Sequence, residues 1–273
     1  MIRSAVTISL VEQAKKGPFV FHDNLDAACR TAAELGFDGI EIFAPSPQAV
    51  QLLPLAKLLQ TYGLKLAALG TGAGMLVHRL QLCDPDADRR QKAEEFIGEM
   101  LRAGADFGAP AIVGSMQGRW DDVTPRPVAL QLLGDAMERL GRLAESLGTV
   151  LLYEPLNRYE TNLCNTMREG AQLLGTLSTQ SVKILADLFH LNIEETSIAG
   201  GLRDAGALLG HLHFVDSNRQ AAGRGHMDFG PVAAVLGELN YQGYASAEAF
   251  PVPDSQTAAE QTIRTFKKTF GHV

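Results

Sequence analysis

The feature that most constrains the fold is a regular alternation of short apolar runs with longer amphipathic segments. The apolar runs have about four to eight residues, which is the usual length of a β-strand. They read AVTISL, GIEIF, LKLAAL, PAIVGS, TVLLYE, VKILAD, GHLHFV and GYASAEAF. The segments between them repeat apolar residues at the i, i+3 and i+4 spacing of a helix face. This alternation predicts an α/β fold, a single (β/α)8 barrel that spans residues 1–273 as one domain.

Turn residues and loops agree with this prediction. Pro54 interrupts the helix predicted between Ser46 and Gly63, so we expect that helix to be split. Long loops follow the third, fourth and seventh strands, on the side where such barrels build their active sites. They are predicted over Gly70–Asp84, Gln117–Arg126 and Asn218–Asp228. An open doubly wound sheet is the alternative, but no glycine-rich phosphate turn follows the first strand.

Composition limits the class of partner. The formal net charge of -7 disfavours binding to nucleic acid phosphates, so we expect a small-molecule substrate and no nucleic acid. The three cysteines show no close pairing, which fits a reducing compartment. No apolar run is long enough to span a bilayer, and the first residues lack the layout of a signal peptide. These observations predict a cytoplasmic chain that does not bind a membrane.

The last four predicted strands each end in a side chain that can bind a metal ion. These side chains are Glu154, Asp187, His213 and Glu248. Residues i and i+2 of a strand share one face, so the side chains beneath them inside the barrel are those of Leu152, Leu185, His211 and Ser246. The opposite register would bury carboxylates among the helices, at a cost of about several kcal/mol each unless paired. The pattern therefore predicts a polar ring inside one end of the barrel.

Three carboxylates and one imidazole form an oxygen-rich ligand set. Such a set favours Mn²⁺, with Mg²⁺ or Co²⁺ as alternatives, over Zn²⁺. A single acidic residue at a strand end is commonly a helix cap or a salt-bridge partner, but four on successive strands are harder to explain in that way. Glu41 ends the second strand. It either supports this site or has no role in it. His211 is expected to be packed and hydrogen-bonded below it.

Several segments resemble a known family. They are EPLNRYETN at Glu154–Asn162, ADLFHLNIEE at Ala186–Glu195, GHLHFVDSNR at Gly210–Arg219 and AEAF at Ala247–Phe250. TGAG at Thr71–Gly74 and GAPAIVGSMQGRW at Gly108–Trp120 also look typical of this group. The chain resembles the xylose-isomerase-like TIM barrel superfamily and, within it, the sugar and sugar-phosphate isomerases and epimerases of the D-tagatose 3-epimerase type.

The resemblance implies a role for individual residues. Positions matching Glu154, Asp187, His213 and Glu248 bind the metal in that family, and the two glutamates also move the proton. Positions matching Glu160, His190 and Arg219 contact substrate oxygens near the carbonyl. Related barrels often form dimers or tetramers, so a homo-oligomer is expected by analogy. Tagatose-type epimerases tend to carry Glu-Asn-Asp-Arg in the loop where this chain has Asp216–Arg219, which places the identity of the sugar in question.

Epimerisation beside a carbonyl needs an acid/base group on each face of the carbon and positive charge for the enediolate. Glu154 and Glu248 lie on the first and last of four adjacent strands, so they can face each other across the site. The sequence therefore predicts a divalent-metal-dependent sugar epimerase or isomerase, with C3 epimerisation of a ketose or keto-sugar favoured. In this prediction the two glutamates transfer the proton and the metal ion holds the enediolate.

Other functions stay open on the same barrel. One is an aldose–ketose isomerase, which needs only one base, or an isomerase acting on hydroxypyruvate, an inosose or a sugar phosphate. Less favoured are an abasic-site endonuclease, which needs more histidines and a basic groove, and a sugar-binding barrel without activity. Trp120, Phe250 and Met75 are candidates for apolar pocket walls, although such side chains more often pack in a core. His226 and Asp228 are expected to order their loop.

Overall fold

A closed barrel of eight parallel strands forms the centre of the molecule. The computed structural model describes residues 1–271, so the predicted domain ends two residues beyond it, and His272 and Val273 lie outside the described residues. The strands are β1 (Arg3–Ser9), β2 (Phe21–His22), β3 (Gly39–Phe43), β4 (Lys65–Gly70), β5 (Ala111–Val113), β6 (Leu151–Tyr153), β7 (Val182–Asp187), β8 (Leu209–His213) and β9 (Tyr244–Ala247). All strands except β2 follow one another around the barrel, which closes through pairing of β9 with β1. The (β/α)8 prediction is confirmed.

Helices surround the barrel. They are α1 (Leu25–Leu35), α2 (Pro47–Leu52), α3 (Leu55–Tyr62), α4 (Ala73–His78), α5 (Ala87–Ala105), α6 (Arg126–Ser146), α7 (Met167–Leu174), α8 (Leu188–Glu194), α9 (Ile198–Ala205), α10 (Gly230–Glu238) and α11 (Ser255–Phe270). Between α2 and α3, Leu53 and Pro54 stand outside helical geometry, as expected for the split. Within residues 1–271, none of these helices is long and apolar enough to cross a bilayer.

Two local features differ from the prediction. The two-residue strand β2 pairs with Ile8 and Ser9 of β1, beyond Val6, where the pairing of β1 with β9 ends. It therefore continues the sheet past the end of β9, in a segment too short to give a periodic pattern. The loop predicted over Gly70–Asp84 contains α4, whose short apolar run carries no helical periodicity of its own.

The strand register follows the predicted alternation. Leu152 and Leu185 form a cluster with Ala68 and Ile112 inside the barrel. Tyr153 belongs instead to the main core between strands and helices, where it is fully buried. Since neighbouring strand residues point to opposite faces, Glu154 lies on the same face as Leu152, at the carboxyl end of the barrel.

Candidate metal centre and cavity

The four predicted metal ligands converge at the carboxyl end of the barrel. Glu154, Asp187, His213 and Glu248 each offer one ligand atom, and these atoms all lie within 4.8 Å of one another. The Nδ1 atom of His213 lies 3.3 Å from Asp187 Oδ2, 3.4 Å from Glu154 Oε1 and 3.7 Å from Glu248 Oε2. Three carboxylates thus surround one imidazole nitrogen.

Local structure places each of these side chains. Asp187 pairs with His213 across β7 and β8, so their side chains leave the barrel wall at the same height. Asp187 also caps α8, because its Oδ1 atom accepts the backbone N–H of Phe189 at 2.7 Å, which leaves Oδ2 for the centre. Gly114 gives Glu154 its space, since a Cβ atom there would lie 2.6 Å from Glu154 Oε2.

The chemistry of this cluster fits a divalent cation. Glu154 Oε1 is buried without a hydrogen-bond partner. Burial raises the pKa of Glu154 to about 7, and the nearby carboxylates of Glu248 and Asp187 add to this, while His213 acts against it. Burial also raises the pKa of Glu248. A bound cation would relieve both the repulsion and the desolvation, because it favours the charged carboxylates.

A second group of buried side chains supports the centre from below. Glu41 Oε1 lies 3.1 Å from His213 Nε2, and Glu41 Oε2 lies 2.9 Å from His211 Nε2. Burial alone would raise the pKa of Glu41, but His213 and His211 hold it far below its ordinary value. The sequence left the role of Glu41 undecided, because nothing in its strand reveals two histidine partners about 170 residues later.

A cavity of about 380 Å³ opens above the cluster. Its apolar walls come from Phe19, Phe43, Leu76, Ile112 and Leu156, and one side is covered by the loop 13–19 between β1 and β2. The candidate walls Trp120, Phe250 and Met75 are not among the lining residues. Met75 packs against the main core, which was the expected alternative for such side chains. The Asn162 side chain pairs with both backbone polar groups of Trp120, in an exposed loop.

His190 presents a free hydrogen-bond donor to this cavity. Its Nδ1 atom accepts from the backbone N–H of Asn157 at 3.4 Å and lies 2.7 Å from the Nδ2 atom of the same residue. Because Nδ1 accepts, Nε2 carries the hydrogen of a neutral ring. Burial lowers the pKa of His190, which keeps the ring neutral. The buried Nε2 has no hydrogen-bond partner and lies 3.8 Å from Asp187 and 3.9 Å from Glu154.

Arg219 connects two of the predicted site residues. Its guanidinium lies 2.7 Å from Glu248 Oε2 and 3.1 Å from Glu160 Oε1, and it stacks over Phe189 at 4.9 Å from the ring centroid. The Nε atom of Arg219 is buried without a partner. Arg219 therefore orients Glu248 and Glu160 and keeps one donor for another oxygen.

Asp216 organises the loop that carries Arg219. Its buried carboxylate accepts the backbone N–H groups of Ser217, Gly223 and Met227 at 2.7–3.1 Å. In the same loop, Ser217 Oγ lies 3.0 Å from His226 Nδ1. Asp228 accepts the backbone N–H of Gly230 at the start of α10. These contacts fit the loop-ordering role expected for His226 and Asp228.

Comparison with known proteins agrees with the fold and identifies the family. A family model described as a xylose isomerase-like TIM barrel matches residues 29–269. The D-psicose 3-epimerase of Ruminiclostridium cellulolyticum is 34% identical over 80% of this chain and 75% of its own length. The 3-dehydro-D-guloside 4-epimerase of Escherichia coli is 31% identical over 84% of this chain and 88% of its own length.

Solved structures extend the match to almost the whole chain. A structure of L-ribulose 3-epimerase superposes with a TM-score of 0.83, at 20% identity, over 99% of this chain and 95% of the other. At that identity the superposition shows the shared fold alone. The family model and the two sequence relatives show homology in addition to the shared fold. The chain therefore belongs to the xylose isomerase-like TIM barrel family, among the relatives of the ketose 3-epimerases.

Proposed function

We propose that the protein is a divalent-metal-dependent sugar epimerase that inverts C3 of a ketose or keto-sugar. The observation that carries the proposal is the convergence of Glu154 and Glu248 on one cavity together with Asp187 and His213. The relatives that carry epimerase names, on C3 of ketoses and on C4 of a 3-keto-sugar, support the same reaction class.

Glu154, Asp187, His213 and Glu248 are the residues that would hold the metal ion. Mn²⁺ suits this oxygen-rich set best, Mg²⁺ and Co²⁺ are alternatives, and Zn²⁺ fits less well. When bound, the ion supplies positive charge that polarises the sugar carbonyl and stabilises the enediolate.

Glu154 and Glu248 would move the proton. One carboxylate removes the proton from C3, the electron pair of the broken C–H bond moves toward the carbonyl oxygen, and an enediolate forms. The other glutamate, as a carboxylic acid, returns a proton to the opposite face of C3.

His190 and Arg219 would hold the substrate oxygens. The free Nε2–H of His190 can donate to the oxygen on which the enediolate charge develops. Arg219 offers its unpartnered Nε–H, and Glu160 can accept from a sugar hydroxyl while paired with Arg219. These contacts fix which carbon faces the two glutamates.

Solvent exchange tests the proposed reaction directly. Each of a panel of ketoses and 3-keto-sugars is incubated in D₂O with the Mn²⁺-loaded protein and followed by NMR. We expect deuterium at C3 together with formation of the C3 epimer for at least one sugar. Absence of exchange at every carbon next to a carbonyl, across the panel and with Mn²⁺, Mg²⁺ or Co²⁺ present, would sink the proposal.

We also propose that the chain forms a homodimer or homotetramer. Support comes from three apolar side chains exposed on two adjacent loops at the carboxyl end of the barrel: Trp120 is 38% exposed, Val123 74% and Tyr159 77%. Hydrogen bonds of the Trp120 backbone with the Asn162 side chain join the two loops that carry these side chains. Exposed apolar side chains of this kind can mark a contact between proteins.

Light scattering should give a mass two or four times that of the 29.4 kDa chain. The double variant Trp120→Ser/Tyr159→Ser should shift the protein toward the monomer. Leu52→Ser, which removes an exposed apolar side chain on α2, away from the two loops, is the matched control and should not change the mass. A monomeric wild-type protein at micromolar concentration would contradict this proposal.

A further inference from the structure

Glu41 occupies an unusual position for a carboxylate. It is the central residue of β3 and not, as the sequence predicted, its last residue, because the strand continues to Phe43. The residue is 4% exposed and lies inside the barrel below the metal cluster. Within residues 1–271 no lysine or arginine forms an ion pair with it, and its two partners are the imidazoles of His211 and His213. A buried carboxylate is costly without compensation, so these two hydrogen bonds are what make the position tolerable.

The two bonds determine where His213 carries its hydrogen. An ionised carboxylate only accepts, so both Nε2 atoms that face Glu41 must be protonated. A neutral His213 with hydrogen on Nε2 has its lone pair on Nδ1. Nδ1 is the atom that faces Glu154, Asp187 and Glu248 at 3.3–3.7 Å. Glu41 therefore selects the tautomer of His213 that can bind a cation.

The same contact also fixes the orientation of the ring. Rotation of His213 by a half-turn would replace Nδ1 and Nε2 by carbon atoms, which would cost the hydrogen bond to Glu41 and the ligand position together. His211 completes the arrangement, since it holds the second oxygen of Glu41 at 2.9 Å. The rings of His211 and His213 pack edge to face, with their centroids 5.7 Å apart.

We propose that Glu41 is a positioning residue of the metal centre, which acts through His213 and is itself held by His211. The proposal rests on the metal-binding part of the proposed function, and it predicts that the centre binds one ion per chain. Groups of this kind typically change metal affinity by about 10- to 100-fold when they are removed.

The decisive measurement is the affinity of the metal-free protein for Mn²⁺, without substrate. In Glu41→Gln, the side-chain NH₂ cannot accept from the histidine that it faces, and the neutral amide oxygen accepts more weakly than a carboxylate from the other histidine. In either orientation, the hold on the Nε2–H tautomer of His213 is weakened. We expect the dissociation constant for Mn²⁺ to increase roughly 10- to 100-fold while the stoichiometry stays at one ion. Pulsed electron paramagnetic resonance of the bound Mn²⁺ should show the coupling to an imidazole nitrogen in the wild type, and a weaker or heterogeneous coupling in the variant.

Two further variants complete the experiment. Asp38→Asn removes a carboxylate from the residue just before the same strand, where it accepts from the backbone N–H and the hydroxyl of Ser4. This variant should leave the affinity for Mn²⁺ unchanged. If Glu41→Gln does not fold, Glu41→Asp keeps the charge but withdraws it by one methylene group. The dissociation constant should then still rise at least about fivefold.

An affinity within threefold of the wild type in a folded Glu41 variant would overturn the proposal. So would two ions per wild-type chain with one lost in Glu41→Gln, since Glu41 and His211 would then be ligands of a second metal ion. Neither measurement involves a sugar. A protein that binds Mn²⁺ in the expected manner but exchanges no keto-sugar would refute the proposed reaction and leave the role of Glu41 intact.

Discussion

Glu154→Gln and Glu248→Gln should each reduce epimerisation by a factor of roughly 10²–10⁴, because each removes one of the two groups that exchange a proton with C3. The two variants should differ in the epimer on which they still act. A variant that keeps the base on one face can still remove and return the proton on that face. We therefore expect each variant to exchange C3 hydrogen with D₂O in one epimer only, and the two variants to act on opposite epimers.

The measurement is deuterium incorporation at C3, followed separately from each purified epimer. Metal content must be determined in parallel, since both glutamates belong to the ligand cluster. Glu160→Gln is the matched control: it removes a carboxylate from the same cavity, outside that cluster, and should slow exchange equally in both epimers. Loss of exchange from both epimers in both variants, with the metal still bound, would contradict the two-base reaction.

Removal of the metal ion should abolish exchange, and reloading with Mn²⁺ should restore it. Without the cation, the buried carboxylates of Glu154, Asp187 and Glu248 repel one another, so binding should also stabilise the fold. At a free Mn²⁺ concentration about 100 times the dissociation constant, the stabilisation is about 2.7 kcal/mol. For a chain of this size, this corresponds to an increase in Tm of roughly 5 °C.

Metal affinity should also depend on pH and should decrease as the pH falls, because Glu154 and His213, two of the ligand side chains, have raised pKa values. The raised pKa of Glu154, about 7, means that metal must displace its proton at lower pH. Burial would lower the pKa of His213, but Glu41 and Glu248 raise it well above its ordinary value, so binding displaces a second proton. Affinity should therefore fall by roughly tenfold or more for each pH unit below 7. Calorimetry in buffers of different ionisation enthalpy counts the released protons, and an affinity independent of pH would contradict this picture.

The ligand cluster was predictable because strand alternation is a strict rule. Once Leu152 is assigned to the barrel interior, Glu154 must share its face, and the same logic applies to Asp187 above Leu185. Parallel pairing then brings the strand ends to one level, as the pairing of Asp187 with His213 shows. Short-range periodicity was therefore sufficient for the position of the site.

The cavity walls were not predictable in this way. The loop 13–19 has no periodic pattern, and it covers the cavity because Phe19 stacks on Phe43 at 4.6 Å, a contact between different segments. Trp120 could be named only as a candidate for a wall, because the type of a side chain does not show which way it points. The role of Glu41 depends on partners on the opposite side of the barrel, which a single sequence does not connect.

The loop built around Asp216 constrains how this chain can change through evolution. A Cβ atom at Gly225 would lie 2.1 Å from Asp216 Oδ1, so a side chain at this position would clash with the carboxylate. Gly223, whose N–H donates to the same carboxylate, has φ +94, a backbone conformation that favours glycine. Mutation of Asp216 would remove the carboxylate that accepts the backbone N–H groups of Ser217, Gly223 and Met227 in the loop that carries Arg219. Enlargement of Gly225 would displace the same carboxylate. Asp216, Gly223 and Gly225 should therefore be inherited as a unit. Homologous chains that share all three form a lineage with the same substrate-facing loop, and that lineage is where a common sugar should be sought.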